Sequence, residues 1–115
     1  MISQEILKGT IKPLIIKLIS DGGKMYGYQI TQRVKELSAQ KIVLTEGALY
    51  PALHKLVVEG ILVTETEWVG NRERKYYMLS EAGKAKAPAK LEEIKESVLI
   101  LVQLFDLKPL VYDTK

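Results

Sequence analysis

Residues 62–79 read LVTETEWVGNRERKYYML, and they decide the fold, because the periodicity of the chain changes there. Before Gly60, apolar residues recur at spacings of three and four. From Leu62 the pattern alternates: Val63, Glu65 and Glu67 fall on one side of an extended chain, with Leu62, Thr64, Thr66 and Trp68 on the other. β-Branched residues run through the stretch, as they do in strands. Gly70-Asn71 is a hairpin signal, and Arg72–Leu79 returns as the second strand. Tyr76 and Tyr77 then point to opposite faces, one into a core and one out of it.

Working back towards the N-terminus, Ile6, Leu7, Ile11, Leu14, Ile15, Leu18 and Ile19 predict one amphipathic helix over 4–20. Pro13 bends it or marks where its straight part begins, and Asp21-Gly22-Gly23 ends it. Residues 27–37 give a second helix through Tyr28, Ile30, Val34 and Leu37, with Lys35 and Glu36 facing water, and a turn over 38–43 follows. The third helix lies in TEGALYPALHKLVVEG, residues 45–60, where Leu49, Leu53, Leu56 and Val57 form the apolar side. Gly47 and Pro51 sit near its start, although an interior Gly costs about 1 kcal/mol and an interior Pro about 3.

Two readings of that start stand side by side. In one, the helix offers its N-terminal end to an anion, through N–H groups with no partner in the helix and the positive end of the dipole. Gly47 and Ala48 are then small so that the backbone can come close to a phosphate, and Pro51 fixes the early turn. In the other, the helix begins near Leu49, Pro51 occupies its first or second position, where proline is welcome, and Gly47 is an ordinary turn glycine.

Beyond the hairpin, Ser80 reads as a helix cap with Glu81 in the first turn. Leu91, Ile94, Val98, Leu101 and Phe105 then repeat at spacings of three and four, a heptad-like seam. Pro88 is expected to divide a short capping segment from a helix near 89–107. Leu99, Ile100 and Val102 lie outside the seam, which gives this helix more apolar faces than one small domain covers. The reading is a homodimer interface built on Leu91, Ile94, Val98, Leu101, Val102 and Phe105; the alternative is a fourth helix folded onto its own domain. LKPLVYDTK, residues 107–115, reads as a loosely packed tail.

Three helices followed by a two-stranded hairpin is the winged helix-turn-helix order, in which the third helix enters the major groove. The expected fold is therefore mainly α with a small β-hairpin. Residues 1–80 form the winged helix-turn-helix domain, and residues 81–115 the C-terminal dimerisation helix and tail.

At 115 residues, with 47% hydrophobic and 27% charged residues, the chain has the composition of one globular domain. It has no cysteine, which removes disulfides, thiol catalysis and thiolate metal sites, and its one histidine, His54, cannot make a histidine-rich metal site. Paired carboxylates and a glycine-rich phosphate loop are also missing, so neither an enzyme nor a cofactor is expected. Charged residues interrupt the N-terminal apolar run and Val98–Val102 is far too short to span a bilayer, so the expectation is a cytoplasmic protein without a membrane segment. The net charge of +3 belongs wholly to residues 1–80, with 11 Lys/Arg against 8 Asp/Glu; residues 81–115 hold 6 of each. An anion-binding face is therefore expected in the first two thirds of the chain.

The runs MYGYQI at 25–30, TEGALYPALHKLVVEGIL at 45–62 and RERKYYMLSEAGK at 72–84 closely resemble the PadR-like family of bacterial transcriptional regulators, over residues 5 to about 85. The resemblance implies a winged helix-turn-helix with a C-terminal dimerising helix. It further implies a repressor that reads a palindromic double-stranded operator and, in some relatives, leaves DNA when a small apolar or aromatic effector binds. Carried onto this sequence, the DNA-facing residues are Tyr28, Thr45, Gly47, Ala48, Tyr50, Pro51, His54 and Lys55, with Arg72, Arg74 and Lys75 on the wing. Glu65 and Glu67 could neutralise part of that wing. Relatives that sandwich flat aromatic compounds use a tryptophan on the C-terminal helix; here the only tryptophan, Trp68, lies in the hairpin. A winged-helix protein-interaction module without specific DNA binding is the alternative function.

Overall fold

The structure, a computed structural model, describes residues 4–107; the expected tail lies outside the described residues from position 108 onward. The elements in chain order are α1 (Gln4–Lys8), α2 (Ile11–Gly22), β1 (Lys24–Tyr26), α3 (Gly27–Leu37), α4 (Glu46–Val58), β2 (Leu62–Val69), β3 (Arg72–Leu79) and α5 (Glu81–Leu104). The architecture is mainly helical with a small antiparallel sheet, as expected.

The single helix expected over 4–20 is two. Gly9 and Thr10 interrupt it: the Thr10 N–H and hydroxyl both donate to the Leu7 carbonyl, at 2.8 and 3.0 Å. Leu14 then opens α2 by donating to the Thr10 carbonyl. Pro13 thus falls in the first turn of α2, where no N–H is required, rather than at a bend. α2 ends where the glycines indicate: Gly23, at φ 88°, returns its N–H to the Ile19 carbonyl. Its face of Ile11, Ile15, Ile16, Leu18 and Ile19 is the centre of the core, joined by Ile30 and Val34 of α3, Leu49, Leu53 and Leu56 of α4, and Ile61, Leu62 and Tyr77 of the hairpin. Leu37, expected on the buried side of α3, is exposed instead.

The sheet has three strands rather than two, in the order β1-β3-β2. Lys24–Tyr26 pairs antiparallel with Tyr76–Met78, so the link between α2 and α3 is stitched to the hairpin. Strand β2 pairs with β3 along its whole length, from Leu62↔Leu79 to Val69↔Arg72, around a turn with Gly70 at φ 63°. Tyr77 is the core tyrosine and Tyr76 the outer one.

α5 is one continuous helix that passes through Pro88, with no division there. Ser80 fixes its start: the Gly83 N–H donates to the Ser80 hydroxyl oxygen at 2.9 Å, and that hydroxyl reaches the Gly60 carbonyl at 2.5 Å. A Cβ at position 83 would collide with the Ile61 carbonyl, so only glycine allows this close seat. α5 buries Gly83 and Ala87 and lays Leu91 against the core, but Val98, Leu99, Ile100, Leu101, Leu104 and Phe105 are all exposed. A 24-residue helix is about 36 Å long, and the molecule accordingly measures 51 × 30 × 29 Å.

Candidate nucleic-acid interface

α4 begins at Glu46, not near Leu49. Thr45 is its cap, accepting the Ala48 N–H on its side-chain oxygen at 3.2 Å, while the Leu49 N–H donates to the Thr45 carbonyl at 2.9 Å. Pro51 therefore stands inside the helix, and the reading in which it opens the helix does not hold. The ring of an interior proline presses on the carbonyl four residues back. Here that residue is Gly47, the residue type whose backbone yields most easily. A Cβ on Gly47 would meet no atom within 4 Å, so packing within the molecule does not call for a glycine there. Leu49, Leu53 and Leu56 lock the opposite side of α4 into the core.

Along the first half of α4 runs an open groove of about 460 Å³. Thr45, Gly47, Ala48, Pro51 and Lys55 line one wall, with Lys8 and Lys12 of the first two helices opposite. Lys12 also pairs with Glu59 at 2.7 Å, which holds the Glu59 carboxyl below its usual range. His54 is exposed on α4 but lines neither this groove nor its neighbour.

The neighbour is a cleft of about 540 Å³ between the hairpin and the start of α3, where the structure brings together Tyr28, Tyr50, Arg72, Arg74 and Lys75. Its shape follows from the strand register. β1 covers β3 only from Tyr76 to Met78, so residues 72–75 present an edge that no strand pairs with among the described residues. α3 starts beside that edge. The Tyr50 ring lies so close over Gly27 that a side chain at 27 would strike its phenol. Tyr28 stands open to solvent. Tyr77 forms the floor, its hydroxyl pushed above the usual range by burial and, second, by Tyr50.

Arg74 does more than the sequence indicates. Its guanidinium lies 4.1 Å from the centroid of the Tyr26 ring, and its hydrogen bond to Tyr76 strengthens its hold on its proton. Tyr26 in turn meets Tyr76 edge to face at 5.4 Å. The expectation that Glu65 and Glu67 offset the wing cations is corrected in its main part. Both carboxylates bind Lys24 of β1, Glu65 at 2.9 Å and Glu67 closer still. Those bonds raise the Lys24 pKa above the usual lysine range, Glu67 contributing most, and lower that of Glu67. Sequence reasoning gave Tyr26, Lys8 and Lys12 no part in the surface. Tyr26 stood in the MYGYQI run, but a three-residue strand leaves no periodicity to fix its side. The two lysines read as the solvated face of a helix.

The chain matches the Transcriptional regulator PadR-like family over residues 15–89. The chain belongs to that family. It is 32% identical over 99 residues to the transcriptional regulator Rv3488 of Mycobacterium tuberculosis, covering 84% of this chain and 89% of that one. A PadR family transcription regulator from Clostridium difficile has a solved structure that is 26% identical, with a TM-score of 0.68 over 84% of this chain and 98% of its own. A transcriptional regulator from Clostridium thermocellum, 22% identical, shares the fold at a TM-score of 0.77 over 87% and 97%. This PadR-like chain is thus a transcriptional regulator and not an enzyme. No helix among the described residues is long and apolar enough to cross a membrane, and no group of His, Asp or Glu among them could hold a metal ion.

Proposed function

We infer that this PadR-like regulator is a cytoplasmic, dimeric, sequence-specific DNA-binding repressor, with residues 1–80 as the DNA-binding unit and 81–115 as the dimerising helix and tail. The observation that carries the reading is the meeting of Tyr28, Tyr50, Arg72, Arg74 and Lys75 in one open cleft beside the capped N-terminus of α4. α4 enters the major groove by that end. Tyr50, Pro51, His54 and Lys55 meet base edges, while the Thr45 hydroxyl and the backbone at Gly47 and Ala48 meet phosphate. Tyr28, Arg72, Arg74 and Lys75 hold the backbone beside it. The exposed apolar end of α5 supplies the dimer seam: Val98, Leu101 and Phe105 with half-buried Ile94 and Val102, and Leu91 at its root. Two α4 helices set about one DNA turn apart, roughly 34 Å, then read a palindrome. Release by a small apolar or aromatic effector fits a groove of about 350 Å³ between α2 and α5, lined by Pro13, Ile16, Leu56 and Ile94, next to the seam.

The test is fluorescence anisotropy on the DNA upstream of the chain's own gene, against a scrambled duplex, at two salt concentrations. Preference for the natural fragment by roughly a thousandfold is expected. Equal, steeply salt-dependent binding to both would reduce the reading to phosphate contact. No binding to either would favour a protein-interaction module. Gly47→Ala sharpens the test, because nothing in the fold opposes the new methyl. It should stabilise the protein by up to about 1 kcal/mol while weakening the natural duplex at least tenfold.

A further inference from the structure

The two faces of the hairpin are unlike. Alternation and register put Tyr77, Lys75 and Glu73 of β3 on one face with Thr64, Thr66 and Trp68 of β2. At its inner end Tyr77 is buried and borders the same cleft as Tyr50, so this is the face turned towards the DNA-facing end of α4. At its outer end Trp68 is 69% exposed, and Val69 next to it is exposed as well. A large indole kept in water at the tip of a hairpin marks a docking point. Cations flank it: Lys75 lies one rung inward on the same face, and Arg72 stands at the turn. Glu65 and Glu67, the acidic residues of β2, lie on the opposite face, bound by Lys24. The tip also has the necessary reach. Tyr77 to Arg72 spans five residues, about 17 Å at roughly 3.4 Å each, and half a DNA turn is likewise about 17 Å.

We propose that Trp68 is an apolar wedge that docks in the DNA minor groove adjoining the major-groove site of α4. This rests on the DNA-binding reading above and adds a source of operator choice. An indole pressed against a base step favours sequences that unstack or widen easily, so flanking base pairs that no polar side chain reads would still affect affinity. Cationic neighbours favour nucleic acid over an apolar protein surface as the occupant.

Trp68 is the only tryptophan, so the intrinsic fluorescence of the full chain reports on it alone. Titration with the natural upstream duplex should change its emission saturably. Trp68→Ala should weaken that duplex about tenfold or more, with dimerisation and the slope of affinity against salt unchanged, and Trp68→Phe should keep most of the affinity. If the parent binds the duplex with constant emission and Trp68→Ala binds equally well, the wedge is overturned and the DNA-binding reading stands. A loss accompanied by a shallower salt slope also overturns it, since phosphate contacts are then what disappeared. If the parent binds no duplex, both fall.

Discussion

α4 and α5 begin alike and end differently. Each is opened by a hydroxyl cap, Thr45 or Ser80, that accepts the N–H three residues on, and each runs through a proline. α4 then buries Leu49, Leu53 and Leu56 on one side and leaves its first turns bare on the other. α5 buries little beyond Gly83 and Ala87 before it leaves the domain with apolar residues on every side. The cap and the local sequence are enough to start a helix; what it packs against decides its role. One helix is held by its own domain so that it can present a surface, and the other presents a surface because its own domain does not hold it.

Substitutions can break this contrast at either helix. Leu53→Ala removes a fully buried side chain from the root of α4 and should cost about 3 kcal/mol, a large part of a total of roughly 5–15, read as a lowered urea midpoint. Leu101→Glu should leave the fold of residues 4–97 unchanged by circular dichroism yet shift the dimer to monomer in sedimentation. An association weakened about a hundredfold, near 2.7 kcal/mol, is expected there; an unshifted dimer would move the interface elsewhere. The caps come next. Ser80→Ala should cost about 1.5 kcal/mol, because the lost hydroxyl also reaches the Gly60 carbonyl, whereas Thr45→Ala should cost about 1. Equal melting losses would show that the extra bond contributes nothing.

The smallest effect concerns acid. The Glu67 pKa is depressed by Lys24, so its contribution is complete above the unfolded value of about 4.3 and fades as pH falls through the folded one. Glu67→Gln should therefore shift the melting temperature little at pH 7 and flatten its decline below about pH 4.5. An equally steep decline in the variant would separate Glu67 from that loss.

What the sequence made legible was whatever repeats. The periods of α3, the isoleucine face of α2 and the switch to alternation at Leu62 were readable, because burial on one face forces such spacing. Two boundaries misled for opposite reasons. Gly9-Thr10 splits a continuous apolar stripe, since a stripe is blind to a turn that keeps its phase. Pro51 and Pro88 looked like boundaries and are interior, since tertiary packing can outweigh about 3 kcal/mol of local preference. At the candidate interface, the residue types on the third helix and the wing were readable, but not which neighbours they would meet. The stacking of Arg74 on Tyr26 depends on a three-residue strand whose register is set by residues 76–78, far along the chain.

That same strand bears on how the protein is made. Lys24 finds Met78 only after all of α3, α4 and β2 have been synthesised, so closure of the sheet is a late, long-range event in folding. A nascent chain that has emerged only as far as Gly60 can wind α2, α3 and α4 and bury much of their shared face. It has no partner for Lys24–Tyr26 and no wall for the cleft beside Tyr28. The surface proposed to meet DNA is therefore assembled last, when Arg72–Leu79 arrives, and until then the growing chain offers nucleic acid only half a grip.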